Sequence, residues 1–243
     1  MDLGLKNKVA IVTGASEGIG RATAAMLAEE GATVIICARR PDVLAKTEKA
    51  LASKGRIEAY VLDVTDLKAY AALVTQTAAK HGRLDIIVNN AGATDFVPID
   101  GMSDERWHAA FRLNVDAAFG SCRAAFPIMK KQGGGAIVNA SSIMGERSQA
   151  GMSNYGASKA ALEKFTKNAA VEGCPHNIWV NTVRLGSIRT DGFIEYEKQF
   201  PEQVEKIVRT IPLKRSATPD VVADEPQILP SQMNPACIWR ILS

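Results

Sequence analysis

The residues best suited to chemistry are Tyr155 and Lys159, in the run Tyr155-Gly156-Ala157-Ser158-Lys159, with Ser142 thirteen residues upstream. Leu162, Phe165 and Ala169 follow at a spacing that predicts a helix with one buried face. On a helix, positions i and i+4 stack on one side, so Tyr155 and Lys159 project together. A free tyrosine ionises near pH 10, and a neighbouring ammonium favours the phenolate. Bringing that value to about 7 requires roughly 4 kcal/mol. Lys159 reaches this only if another positive group, such as a bound cofactor's ring, joins it. The Ser142 hydroxyl would then polarise a substrate carbonyl while Tyr155 gives or takes the proton. Taken alone, Tyr-x-x-x-Lys also describes an exposed polar helix face, so the elements around it must decide.

Those elements alternate. Lys8 to Thr13 is a short apolar run rich in β-branched residues, which predicts a buried strand. A helix follows from Ile19 to Glu30, ended by Gly31. Thr33 to Ala38 is a second strand, and Pro41 starts a helix that stops by Gly55. Glu58 to Val64 is a third strand, with Thr65 or Asp66 capping the next helix, which ends near Gly82. Leu84 to Val88 is a strand, and a long helix runs from Ser103 towards Lys131. Ala136 to Ala140, the Tyr155 helix to about Glu172, and Ile178 to Val183 complete six strand-helix units. This succession predicts an α/β fold: a doubly wound parallel sheet (Rossmann-type) in a single domain, with ligands at the carboxyl ends of the strands.

Between the first strand and first helix stands Thr13-Gly14-Ala15-Ser16-Glu17-Gly18-Ile19-Gly20. Its glycines allow a tight turn and close approach of backbone to a pyrophosphate, and the helix N-terminus offers free N–H groups. The spacing is G-x-x-x-G-x-G, and no Gly-Lys-Ser or Gly-Lys-Thr follows to make a P-loop. At the end of the second strand an acid would bond a ribose 2′-hydroxyl. Ala38 stands there instead, followed by Arg39 and Arg40, whose charge and fork suit a 2′-phosphate. NADP is therefore expected over NAD, with Glu17 opposing the extra phosphate. Asn89-Asn90-Ala91-Gly92, ending the fourth strand, could admit a cofactor or simply make a turn.

Bulk properties exclude several classes. The 243 residues are 47% hydrophobic and 23% charged, ordinary for a globular chain with a substantial core. A net charge of +3, scattered basic residues and 6% aromatics argue against nucleic acid and membrane surfaces. Cys37, Cys122, Cys174 and Cys237 form no C-x-x-C pair, and His81, His108 and His176 show no ligand spacing. The expectation is a cytoplasmic protein with free thiols and no metal. Asp2 and the following residues carry no apolar signal segment, and no run approaches about 18 apolar residues.

Together, TGASEGIG, Asp63, NNAG, Asn114, Ser142 and the YGASK run resemble the short-chain dehydrogenase/reductase family, classical subgroup, from about Leu5 to about Val222. The resemblance implies Tyr155 as acid/base and Lys159 as the residue that lowers its pKa and holds the nicotinamide ribose. It implies Ser142 at the substrate oxygen, with Ser141 serving the turn, and Asn114 holding a water that links Lys159 to solvent. Gly14, Ser16, Gly18, Ile19 and Gly20 would meet the pyrophosphate, and Arg39 and Arg40 the 2′-phosphate. Asp63 and Val64 would touch the adenine. Asn90, Ala91 and Gly92 would flank the cofactor, and Gly186, Ile188 and Thr190 the nicotinamide. The expected reaction is hydride transfer between NADP(H) and a carbonyl or secondary alcohol in a homodimer or homotetramer, assembled through the helices of Asn114 and Tyr155.

Two departures from the family pattern stand out. Leu185-Gly186 replaces a Pro-Gly pair. After Pro219-Asp220-Val221-Val222-Ala223, Pro226 and Pro230 predict an interrupted helix, at about 3 kcal/mol or more for an interior proline. Asp224 to Ser243 holds no glycine and no strand pattern. The expected organisation is a domain at 1–223, including a substrate lid at about 186–212, and an atypical tail at 224–243 lacking the family's last strand. Phe193, Ile194, Tyr196 and Phe200 would give the lid an apolar inner face, or the same residues would simply pack an amphipathic helix on the body. Two rival readings remain: a catalytically idle dinucleotide-binding or scaffold protein, and the same chemistry with NAD(H).

Overall fold

The computed structural model describes residues 4–228 and 241–242. Seven parallel strands form one sheet: β1 (Val9–Thr13), β2 (Thr33–Ala38), β3 (Arg56–Val61), β4 (Ile86–Asn89), β5 (Gly135–Ser142), β6 (Ile178–Leu185) and β7 (Ile241–Leu242). Their order is β3-β2-β1-β4-β5-β6-β7. The chain grows outward from β1 to β3, then returns past β1 to lay down β4. That reversal leaves a crevice at the carboxyl ends of β1 and β4, where open α/β sheets bind ligands.

The helices between the strands are α1 (Gly18–Glu29), α2 (Pro41–Leu51), α3 (Leu67–His81), α4 (Asp104–Phe111), α5 (Ala117–Gln132), α6 (Ser153–Gly173), α7 (Asp191–Gln199), α8 (Pro201–Thr210) and α9 (Pro219–Ile228). Side chains alternate across each strand. Val9 and Ile11 therefore join Tyr70, Leu73, Ile87 and Ile137 on one face. Ala10 and Val12 join Ala24, Leu27, Leu44 and Val88 on the other. Cys37 and Cys122 are core thiols whose burial pushes them up to about 12, out of reach of nucleophilic chemistry at neutral pH.

Local signals place most element ends. Asp66 caps α3 by accepting from the Ala69 N–H at 2.9 Å, and Gly82 takes the left-handed turn after it. Three expectations are corrected. First, the third strand ends at Val61, so Asp63 and Val64 lie in the loop beyond it. Second, the helix expected from Ser103 towards Lys131 is α4 and α5 joined by a π-turn at Arg112–Asp116. The wider turn rotates the residues after it, and π-turns concentrate at functional sites. Asn114 sits inside it.

Third, the tail carries both a helix and a strand. Helix α9 runs through Pro226 to Ile228, and β7 pairs in parallel with β6, Ile241 opposite Thr182. Pro226 falls in the last turn of α9, where it removes a single backbone bond. The inner face of the same helix buries Val222 and Ala223. Two residues are too few to show a period, which is why β7 left no strand pattern. Pro230 and Cys237 lie outside the described residues.

Candidate active site

The carboxyl edge of the sheet gathers the chemistry. Ser142 ends β5, opposite Leu185 of β6, and its Oγ accepts from the Met144 N–H at 3.2 Å. Tyr155 sits in the first turn of α6, half-buried, and its N–H donates to Asn154 Oδ1 at 2.7 Å. One turn on, Lys159 is 4% exposed, and its Nζ donates to the Ala140 carbonyl at 2.7 Å. The Nζ lies 5.6 Å from the centre of the Tyr155 ring.

Burial dominates the electrostatics. It takes the Lys159 ammonium from 10.5 down to about 8. It pushes the Tyr155 phenol above its ordinary value, and the Ser142 hydroxyl draws it only partly back. The chain's own groups thus leave the phenol raised, where the resemblance implied a value lowered by Lys159. The lysine is spent on a backbone carbonyl, and a second cation is needed to favour the phenolate.

Asn114 approaches from the π-turn. Its Nδ2 donates to Ser158 Oγ at 2.9 Å, and Ser158 Oγ donates to the Tyr155 carbonyl at 2.8 Å. Its Oδ1 is buried with no partner among the described residues. A methyl group on Gly92 would come within 3.2 Å of Asn114 Oδ1 and 3.4 Å of Lys159 Nζ, so both atoms face the same small space. A cavity of about 10 Å³ lies there, lined also by Ala91, Leu113 and Asn89. That is about the size that admits one water, and the orphaned Oδ1 offers it an acceptor.

The glycine loop faces this cluster. Gly14 and Gly18 hold φ of +61° and +55°, the left-handed region. A Cβ on Gly20 would stand 2.5 Å from both Asn90 Nδ2 and the Gly14 carbonyl. Thr13 Oγ1 accepts from the N–H groups of Asn90 and Ala91, each at 3.0 Å, which ties β4 to the loop. A hollow of about 150 Å³ opens beside it, lined by Gly14, Ser16, Ala38, Arg39, Arg40, Asp63, Val64, Ala91 and Gly92. Crowding that forbids side chains, a helix N-terminus and a nearby arginine suit a dinucleotide. Within the hollow, Arg40 is paired with Glu17, so the acid is neutralised. Arg39 has no ion pair among the described residues, although its charge helps hold the Asp63 carboxyl low. Burial opposes that effect, and the Thr65 N–H and hydroxyl lead it.

Beyond the carboxyl end of β6, Gly186 follows the strand, Ile188 bridges to Ala217, and Thr190 caps α7 by accepting from the Phe193 N–H at 3.3 Å. Phe96, after β4, stacks on Tyr196 of α7 at 6.2 Å, and Tyr196 meets Phe200 at 5.0 Å. Four contributors escaped sequence reasoning. Ser158 and Asn154 hold Tyr155 from either side, and the Ala140 carbonyl holds Lys159. Asp191 Oδ2 accepts from the Gly18 N–H at 3.1 Å, setting a carboxylate at the N-terminus of α1. Ser158 and Asn154 flank Tyr155 in sequence. Nothing local distinguishes Asp191 from an ordinary first-turn acid.

A glycine loop at the switch point of a doubly wound sheet, with a Tyr-Lys helix at the neighbouring strand end, defines a dinucleotide-type oxidoreductase scaffold. Comparison with known proteins narrows the class. A family profile described as short chain dehydrogenase matches residues 8–200. The chain is 39% identical over 223 residues to 3-oxoacyl-(acyl-carrier-protein) reductase FabG of Thermotoga maritima, covering 90% of this chain and 88% of that one. It is 37% identical to 3alpha-hydroxysteroid dehydrogenase of Mediterraneibacter gnavus, covering 98% and 96%. Among solved structures, L-sorbose reductase of Gluconobacter frateurii, complexed with NADPH and L-sorbose, superposes with a TM-score of 0.94 at 32% identity, over 100% of this chain and 97% of that one. NAD+-bound xylitol dehydrogenase superposes with a TM-score of 0.91 at 28% identity, over 98% and 97%. The chain belongs to the short chain dehydrogenase family and is an oxidoreductase acting on CH–OH or C=O groups.

Proposed function

We propose that the protein is an NADP(H)-dependent carbonyl reductase or alcohol dehydrogenase with Tyr155 as acid/base. The observation that carries this reading is the convergence of Ser142, Tyr155, Lys159 and Asn114 at one strand edge beside the glycine loop. A bound nicotinamide would supply hydride transfer and the second positive charge that Tyr155 lacks. Ser142 binds the substrate oxygen, and Tyr155 moves the proton at that oxygen. With the cofactor bound, Lys159 would hold the ribose hydroxyls and favour the phenolate. Asn114 Oδ1 holds the water through which Lys159 recovers a proton. Gly14, Ser16, Gly18, Ile19 and Gly20 receive the pyrophosphate, and Asp63 and Val64 the adenine. Asn90, Ala91, Gly186, Ile188 and Thr190 flank the nicotinamide half.

Arg39 supports NADP over NAD. It follows Ala38 where an acid would serve NAD, it lines the hollow, and Glu17 is occupied by Arg40. The relatives bind either cofactor, so this residue bears the argument. The substrate is a small carbonyl or alcohol; the relatives named above are a 3-oxoacyl-(acyl-carrier-protein) reductase, a 3alpha-hydroxysteroid dehydrogenase and an L-sorbose reductase. Phe119 is 41% exposed, with Arg123 over its ring and Phe165 at its edge, which supports a homo-oligomer assembled through α5 and α6. Replacing Tyr155 by Phe should abolish turnover of a ketone panel and leave NADPH binding intact. Near-normal rates in that variant would defeat the assignment.

A further inference from the structure

The site has a charged support that the proton chemistry does not touch. Glu163 lies two turns beyond Tyr155 on α6 and is 7% exposed. Its Oε1 accepts from Ser141 Oγ at 2.9 Å and from Arg184 Nε at 3.0 Å, and its Oε2 accepts from Arg184 Nη2 at 2.7 Å. Arg184 belongs to β6 and also pairs with Glu146, just after the turn that follows Ser142. A Cβ on Gly145 in that turn would lie 3.1 Å from Glu163 Oε1. One carboxylate therefore ties the ends of β5 and β6 to α6, and Arg184 extends the tie to Glu146 beyond the turn after Ser142.

Ser141 bonds Glu163, and the next residue of β5, Ser142, faces Tyr155 in the first turn of the same helix. We infer that Glu163 and Arg184, acting through Ser141, form a positioning pair that sets the reach of Ser142 to Tyr155. This rests on the reading of Tyr155 as acid/base. A fork-to-carboxylate pair fixes both distance and angle, which a single hydrogen bond does not. The charged groups around Tyr155 are Lys159 on its own helix, the Asp95–Arg106 pair reached through Asn154, and the Glu163–Arg184–Glu146 cluster beyond Ser141. Lys159 also holds the strand that carries Ser142, at the Ala140 carbonyl, and the last cluster holds it one residue from Ser142, at Ser141.

Two variants test this: Glu163→Gln, which keeps shape but turns a donor towards Arg184, and Ser141→Ala, which leaves the ion pair buried and whole. Each is read by kcat, by NADPH binding, and by alkaline titration of the tyrosinate absorbance that Tyr155→Phe removes. Displacing Ser142 withdraws the hydroxyl that favours the phenolate, so the Tyr155 signal should begin at higher pH in both variants. The value of kcat should fall roughly 10- to 100-fold, with NADPH affinity within about twofold of wild type. An unchanged Tyr155 titration with kcat within about twofold overturns the inference. So does a lowered unfolding midpoint with no change in titration, which would mark the pair as structural. If Glu163→Gln fails to fold, Ser141→Ala decides. Wild-type protein without turnover would instead refute the proposed function, while the titration would still read the geometry.

Discussion

Lys159→Met is expected to stabilise the protein at neutral pH while abolishing its chemistry. The lysine is 4% exposed, and its ammonium has one neutral partner, the Ala140 carbonyl. A single dipole does not offset the loss of hydration, so burial takes the group from 10.5 to about 8. At about 1.4 kcal/mol per unit, holding the charge at neutral pH costs on the order of 3 kcal/mol. The folded state releases this proton more readily than the unfolded one. Stability from this group is therefore present above pH 10.5 and lost as pH falls through about 8. Methionine abolishes that dependence but leaves the Ala140 carbonyl unpaired, at about 1–2 kcal/mol. The variant should thus exceed wild type by about 1–2 kcal/mol near pH 7 and fall below it near pH 10. The difference between the two proteins should swing by about 2–3 kcal/mol, or roughly 5–10 °C in Tm. Thermal unfolding of both proteins across this range measures it. A Tm difference that stays constant with pH would refute the reasoning, because it would mean that Lys159 ionises normally in the fold.

The remaining expectations concern the cofactor. Arg39→Ala should weaken NADPH binding by about 10- to 100-fold while leaving NADH within a few-fold, as for a lost charge-assisted pair of about 1.5–3 kcal/mol; titration with both cofactors checks it, and equal losses would refute the phosphate assignment. Gly20→Ala puts a methyl group 2.5 Å from Asn90 Nδ2 and from the Gly14 carbonyl, so dinucleotide binding should be lost in isothermal titration, with a lower Tm. Retained affinity would show that the loop yields at small cost. Asp191→Asn removes the anion from the Gly18 N–H, so NADPH should bind several-fold tighter. Weaker binding would mean that the carboxylate belongs to the bound state.

Much of this molecule could be read locally. Val9–Thr13 and Thr33–Ala38 are apolar and β-branched because a parallel strand is buried on both faces, and that leaves a continuous signal. Gly14 and Gly18 are needed for backbone geometry that other residues resist. Tyr155 and Lys159 share a face because helical periodicity demands it. The succession of strands and helices, the glycine loop and the Tyr-Lys pair were legible for these reasons. Other features depended on contacts between distant segments. The π-turn at Asn114 has no composition of its own, and β7 is too short to show a period. The pairing of Arg40 with Glu17, and of Arg184 with Glu163, follows from which strand ends meet. The sequence by itself determined the elements, the turns and the residue types available for chemistry, since these follow from interactions within a few residues. Only the tertiary structure decided that Lys159 is desolvated and bound to a carbonyl, that Tyr155 is raised rather than lowered, and that Asp191 reaches the glycine loop. Burial and long-range charge pairing are properties of the packed molecule, and no stretch of chain carries them alone.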